Sequence, residues 1–236
     1  MATYVLVHGA FHGGWCWRDF TPRLEAKGHK VHTPTLTGLG DRHDEVTEDV
    51  GLTTHVRDVI ALYEAEDLSD TVLVGHSYGG PVVGGVADAM ANRVSALVFL
   101  DAVIPEDGKS VLDFQFEERR QEFLAKAKAY NGWQIPPPPV SYYGIVDPEQ
   151  QKWGDAHCVP QPLKCFSQAS ELTGAWTGVA KKIYIRCTNP PLPYMDQFQN
   201  YAEQQADWDT YEMDTGHDCM VTEPDELAEL LLKFAE

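Results

Sequence analysis

The 236-residue chain carries 36 acidic and 18 basic residues, and a net charge of −18 disfavours nucleic acid and anionic membrane surfaces as partners. Its length suits one α/β domain with a substantial core, and no apolar run approaches the roughly 20 residues that span a bilayer. Five cysteines (Cys16, Cys158, Cys165, Cys187, Cys219) are odd in number, widely spaced and form no C-x-x-C, which fits a reducing compartment. Met1 leads directly into a predicted strand without a basic, apolar leader, so the expectation is a soluble cytoplasmic protein.

Apolar, β-branched runs predict strands over 4–7, 31–34, 71–74, 96–100, 182–187 and 208–213, with helical patterns over 15–27, 53–66, 81–91, 194–205 and 224–235. Short buried runs alternating with helices read as a mostly parallel six-stranded sheet with helices on both faces. Thr222 before Glu223-Pro224 predicts the start of the last helix, whose apolar stripe is Leu227, Leu230, Leu231 and Phe234. The stretch 104–175 is rich in aromatics, including Phe114, Phe123, Tyr130, Trp133, Tyr143 and Trp153, and holds four consecutive prolines from Pro136. It reads as a helical cap inserted at the sheet's C-terminal edge of a single domain over 1–236.

Chemistry is expected where strands end, because loops beyond the carboxyl ends of an open α/β sheet form the ligand crevice. Thr71-Val-Leu-Val-Gly-His-Ser-Tyr-Gly-Gly80 runs an apolar strand into a serine bracketed by glycines and then into a small-residue helix. That is the G-x-S-x-G nucleophile elbow, with Ser77 on a strained turn and a helix N-terminus aimed at any anion formed beside it. After the first strand, the loop from His8 to Trp15 can bring the backbone N–H of Ala10 beside that of Tyr78 as an oxyanion hole. His8 and His12 have the spacing of helical metal ligands, but the glycines around them argue for loop hydrogen bonds, and no metal is expected. His76 lies within the elbow and reads as a packing or hydrogen-bonding residue.

The general base is expected late in the chain, and His217 in Asp214-Thr-Gly-His-Asp218 is the candidate. The acid has two candidates. Asp101 closes the strand over 96–100, where a carboxylate is poorly solvated unless it pairs with something such as an imidazole N–H. Asp196 is the first carboxylate after the penultimate strand, and Asn189 or a water could stand in its place.

The first-strand segment Tyr4-Val-Leu-Val-His-Gly-Ala-Phe-His-Gly-Gly-Trp15, the elbow, and Gly216-His217 with its following helix resemble the α/β-hydrolase superfamily. The resemblance is to the compact branch of plant methylesterases, the salicylate-binding esterase, the hydroxynitrile lyases and related bacterial esterases, and it covers nearly the whole chain. It implies an α/β-hydrolase fold and cofactor-free hydrolysis of a small carboxylic ester, with Ser77 as nucleophile, His217 as base, and Ala10 and Tyr78 as oxyanion donors. At the acid the chain departs from the plant pattern, since Asn189-Pro190 stands where an aspartate is expected. The lyases carry a threonine after the first-strand histidine and a lysine after the catalytic one. Here those positions are Gly9 and Asp218, and an anionic Asp218 would repel cyanide. Ser77 excludes a dehalogenase, which needs a carboxylate nucleophile. A small-molecule receptor or a non-hydrolytic enzyme on the same fold stays open, as do monomer and homodimer. The aromatic cap points to an apolar or aromatic substrate.

Overall fold

The computed structural model describes residues 1–235. Six strands form one parallel sheet: β1 (Thr3–Val7), β2 (Lys30–His32), β3 (Thr71–His76), β4 (Val94–Leu100), β5 (Lys181–Cys187) and β6 (Trp208–Met213), in spatial order β2-β1-β3-β4-β5-β6. All six lie where the apolar runs predict them. The near-continuous Val/Leu/Phe runs of β3 and β4 suit the sheet's centre, and both are buried almost throughout. Half-exposed β6 alternates polar and apolar residues, as an edge strand does.

Helices α1 (Thr21–Glu25), α2 (Leu52–Ala65), α3 (Gly79–Met90), α4 (Glu117–Tyr130), α5 (Pro148–His157), α6 (Leu163–Ser167), α7 (Asp196–Glu203), α8 (Cys219–Thr222) and α9 (Pro224–Leu232) surround the sheet. The helix expected over 15–27 is instead a 3-10 turn, Gly14–Trp17, followed by α1. Pro22 accounts for the break, since proline is tolerated in a first helical turn and not in the interior. The helix expected over 194–205 likewise begins as a 3-10 turn, Pro193–Met195, before α7. Thr222 does not cap α9: its hydroxyl bonds Thr215 Oγ1 at 2.7 Å, and Glu223 occupies the cap position. Leu227, Leu230, Leu231 and Phe234 are buried as their stripe predicts. Between β4 and β5 lie α4, α5, α6 and a two-residue antiparallel pair of Gln134–Ile135 with Gln161–Pro162.

Register places the site. His76 pairs with Leu100, Leu100 with Ile185, and Cys187 with Met213. Ser77 and Asp101 therefore leave β3 and β4 side by side, next to Arg186 within β5. His217 follows four residues beyond the end of β6. Among the described residues no helix is long and apolar enough to cross a membrane, and the five cysteines are free.

Candidate active site

Ser77 adopts φ +54, a left-handed conformation rare for a residue with a side chain and costing about 1–3 kcal/mol. Backbone bonds hold it there: its N–H donates to Leu100 O (3.2 Å), and its carbonyl accepts from Gly80 N (3.1 Å) and Val103 N (3.2 Å). The flanking glycines are required by close approach. A Cβ at Gly75 would stand 2.6 Å from Gly79 O, and one at Gly79 would stand 2.8 Å from Val7 O. The turn delivers Ser77 to the N-terminus of α3, at the wall of a pocket.

His217 is buried, and its Nδ1–H donates to Asp101 Oδ2 at 2.6 Å. The other carboxylate oxygen, Oδ1, accepts from Arg186 Nη1 (2.6 Å) and from Cys187 N (3.2 Å). Asp101, fully buried, is thus satisfied on both oxygens and leaves the Nε2 of His217 uncommitted. It too has a positive φ, +42, as the chain turns sharply off β4. His76 donates from Nε2 to the carbonyl of His217 (2.9 Å), with the two rings 4.5 Å apart, so the residue before Ser77 braces the imidazole loop. Burial foremost, then neighbouring His217, holds His76 well below the ordinary histidine pKa, which keeps it a neutral brace.

Asp196 is not part of this cluster. Its exposed carboxylate bonds Arg186 Nη2 at 2.7 Å, on the guanidinium's far side from Asp101, and Asn189 donates its backbone N–H to Thr215. Between the two acids named from sequence, geometry brings only Asp101 to His217. Arg186 escaped the sequence reading. The one signal available was a cation within the apolar run Ile183-Tyr-Ile-Arg-Cys187, where an unpaired charge is not tolerated.

Ala10 and Tyr78 line the pocket with Ser77, and neither backbone N–H is donated to another group among the described residues. Phe11, at φ +67, fixes the first loop through Phe11 N to Gln161 Oε1 (2.8 Å) and Phe11 O to Val159 N (3.0 Å). The Tyr78 hydroxyl donates to His55 Nδ1 at 2.8 Å, while His55 Nε2–H donates to Thr37 O. Burial lowers His55 to a pKa of about 4, so it serves as a neutral acceptor.

His8 and His12 do what loop histidines were expected to do. His8 donates from Nδ1 to Gly9 O and accepts from Leu36 N, and burial lowers its pKa to about 3. His12 bonds Ala10 O (2.6 Å) and Asp218 Oδ2 (3.2 Å). Asp218 is fully buried and does not line the pocket, which corrects the expectation that its charge faces a leaving anion: the peptide after His217 turns it towards His12. Gly9 still speaks against a lyase: a Cβ there would meet His76 Nδ1 at 2.8 Å and Ser77 Cβ at 3.0 Å, leaving no room for threonine.

The pocket at Ser77 is narrow, with a cavity volume of about 40 Å³, and Phe11, Phe123, Tyr143, Phe166 and Tyr194 supply most of its aromatic wall. A larger cavity, about 680 Å³, lies between Pro105, Phe114, Trp176 and Tyr201, away from Ser77 and His217.

Against known proteins, residues 4–230 match the model of the alpha/beta hydrolase family. The chain is 40% identical to the carbendazim hydrolyzing esterase of Nocardioides sp., over 98% of both chains. It is 29% identical to salicylic acid-binding protein 2 of Nicotiana tabacum, over 98% of this chain and 96% of that one. Among solved structures, an extracellular alpha/beta-hydrolase from a Paenibacillus species, described as sharing structural and functional homology with the tobacco protein, superposes with a TM-score of 0.89 at 26% identity over all of both chains.

Proposed function

The chain belongs to the alpha/beta hydrolase family and is a carboxylesterase-type hydrolase, and we propose that it works as a serine esterase with Ser77 as nucleophile, His217 as general base and Asp101 as the orienting acid. The observation that carries this reading is the 2.6 Å contact between His217 Nδ1 and Asp101 Oδ2. It fixes the tautomer whose free Nε2 can take a proton from the serine. Ser77 attacks the ester carbonyl, forming a C–O bond as its proton passes to His217. The N–H groups of Ala10 and Tyr78 hold the developing oxyanion, an effect of about 10²–10³-fold per donor. Collapse of the intermediate expels the alcohol, protonated by His217, and water then cleaves the acyl-enzyme by the same route. Chemistry of this kind needs no cofactor.

The aromatic wall supports a small apolar or aromatic ester as substrate, recognised chiefly by burial. The segment between β4 and β5 acts as the cap, because Val111, Phe123, Tyr143 and Phe166 come from it. A net charge of −18 and five free cysteines favour a reducing, cytoplasmic setting without nucleic acid or membrane partners. Folded Ser77→Ala protein should lose turnover of p-nitrophenyl acetate, and undiminished turnover would remove the serine mechanism. A receptor on this fold would instead saturate with ligand and turn it over negligibly.

A further inference from the structure

Two residues that line the pocket beside Ser77 each carry a buried polar atom that nothing among the described residues satisfies. Arg119, in the first turn of α4, is the one charged side chain lining it. Its guanidinium packs over the Tyr194 ring (4.3 Å), its Nη1 donates to the Tyr142 hydroxyl (2.7 Å), and no carboxylate among the described residues pairs with it. Its Nε–H is buried without an acceptor. Four residues earlier, Gln115 lines the same pocket, and its Oε1 is buried without a donor. Gln115 Nε2 faces Val111 O at 3.5 Å, an orientation that leaves Oε1 as the open acceptor. A donor and an acceptor left unpaired on two residues of one pocket wall carry a desolvation cost that a ligand can relieve once small side-chain shifts bring them to it.

We propose that Arg119 and Gln115 form a recognition edge selecting esters whose part remote from the scissile carbonyl carries an amide-type group, with an acceptor for Arg119 Nε and an N–H for Gln115 Oε1. This deepens the ester reading of Ser77 and rests on it. A free carboxylate fits less well, because it would set its own oxygens against Gln115 Oε1. Placement agrees with the remote end of the substrate. Arg119, Phe11, Phe123 and Tyr143 also line a neighbouring cavity of about 150 Å³ that reaches Glu122, Lys126 and Pro138, so Arg119 stands between that outer space and Ser77.

The test compares p-nitrophenyl N-acetyl-β-alaninate with p-nitrophenyl hexanoate, chains of equal length that differ by the amide, each corrected for its uncatalysed hydrolysis. Wild type should favour the amide ester in kcat/KM by about tenfold or more, as a site built around hydrogen bonds rejects an analogue lacking them. In Arg119→Met and Gln115→Leu that ratio should fall towards one. A wild-type ratio at or below one overturns the proposal whether or not the variants fold. Preference for the p-nitrophenyl hemisuccinate over the amide ester overturns it too, in favour of an anion site. If wild type hydrolyses none of them the ester reading itself fails. Calorimetric titration of Ser77→Ala protein then decides the edge separately: N-acetyl-β-alanine methyl ester should bind at least tenfold tighter than methyl hexanoate, and equal affinities reject it.

Discussion

Asp101 receives Arg186 Nη1 on one carboxylate oxygen and His217 Nδ1 on the other, each at 2.6 Å. Asp101→Asn should therefore present an amide where the imidazole needs an acceptor and select the wrong tautomer, with a loss in kcat on the order of 10⁴-fold. Asp196→Asn removes only an exposed partner of Arg186, and the loss should stay under about tenfold. Steady-state kinetics on both variants checks the pair, and a larger loss at Asp196 would reverse the assignment.

What could be read from sequence follows from how local each signal is. Gly75, Ser77 and Gly79 are contiguous, and their steric demand is a property of the turn itself. His217 is legible because it follows the last strand on a short loop, and Asp101 because a carboxylate closing an apolar strand must find a partner. Arg186, Gln115 and Arg119 were not legible. Arg186 gains its role only when register sets it beside Asp101, and α4 is polar around nearly its whole circumference, with Ala127 its one fully buried residue. Asp218 misled for the converse reason: adjacency to His217 in sequence does not survive the turn that points it at His12.

Arg186 is a positioning residue for Asp101. Arg186→Met leaves a buried carboxylate short of its cation, a change worth about 3–5 kcal/mol of stability. Below the denaturation midpoint, kcat should fall while KM changes little, since the side chain lies away from the pocket wall. Denaturant unfolding with a loss of less than about 1 kcal/mol, well below the cost of a broken buried pair, would contradict this.

Gly9 sets how closely the first loop approaches the elbow. Gly9→Ala puts a methyl 2.8 Å from His76 Nδ1 and 3.0 Å from Ser77 Cβ, so Ser77 or the His76 ring must move. A serine displaced by an ångström loses about 10² in kcat/KM. Gly178→Ala, where a Cβ meets nothing within 4 Å, is the control and should match wild type. Equal activity of the two variants would show that the loop gives way freely.

His12 and Asp218 make stability depend on pH. Both nitrogens of His12 face acceptors, Ala10 O and Asp218 Oδ2, so the ring carries both protons. Burial opposes that charge, but Asp218 outweighs it and holds the pKa above the ordinary value. The folded state thus binds the proton more tightly than the unfolded chain. The resulting stability is complete below about pH 6.5, the unfolded value, and is lost as pH rises through the raised one. For Asp218, burial again opposes ionisation, but the charged His12 outweighs it and holds the carboxyl below its usual range. Its contribution is present above about pH 4 and is lost as pH falls through the lowered value. In Asp218→Asn both dependences should shrink, because His12 loses the anion that kept it charged and the asparagine does not titrate. The variant should be less stable by about 3 kcal/mol at pH 6, with the gap to wild type closing as pH rises through the raised His12 value. Melting temperatures of both proteins in half-unit pH steps test this, and a gap that narrows at no pH above about 6.5 at which wild type stays folded would contradict it.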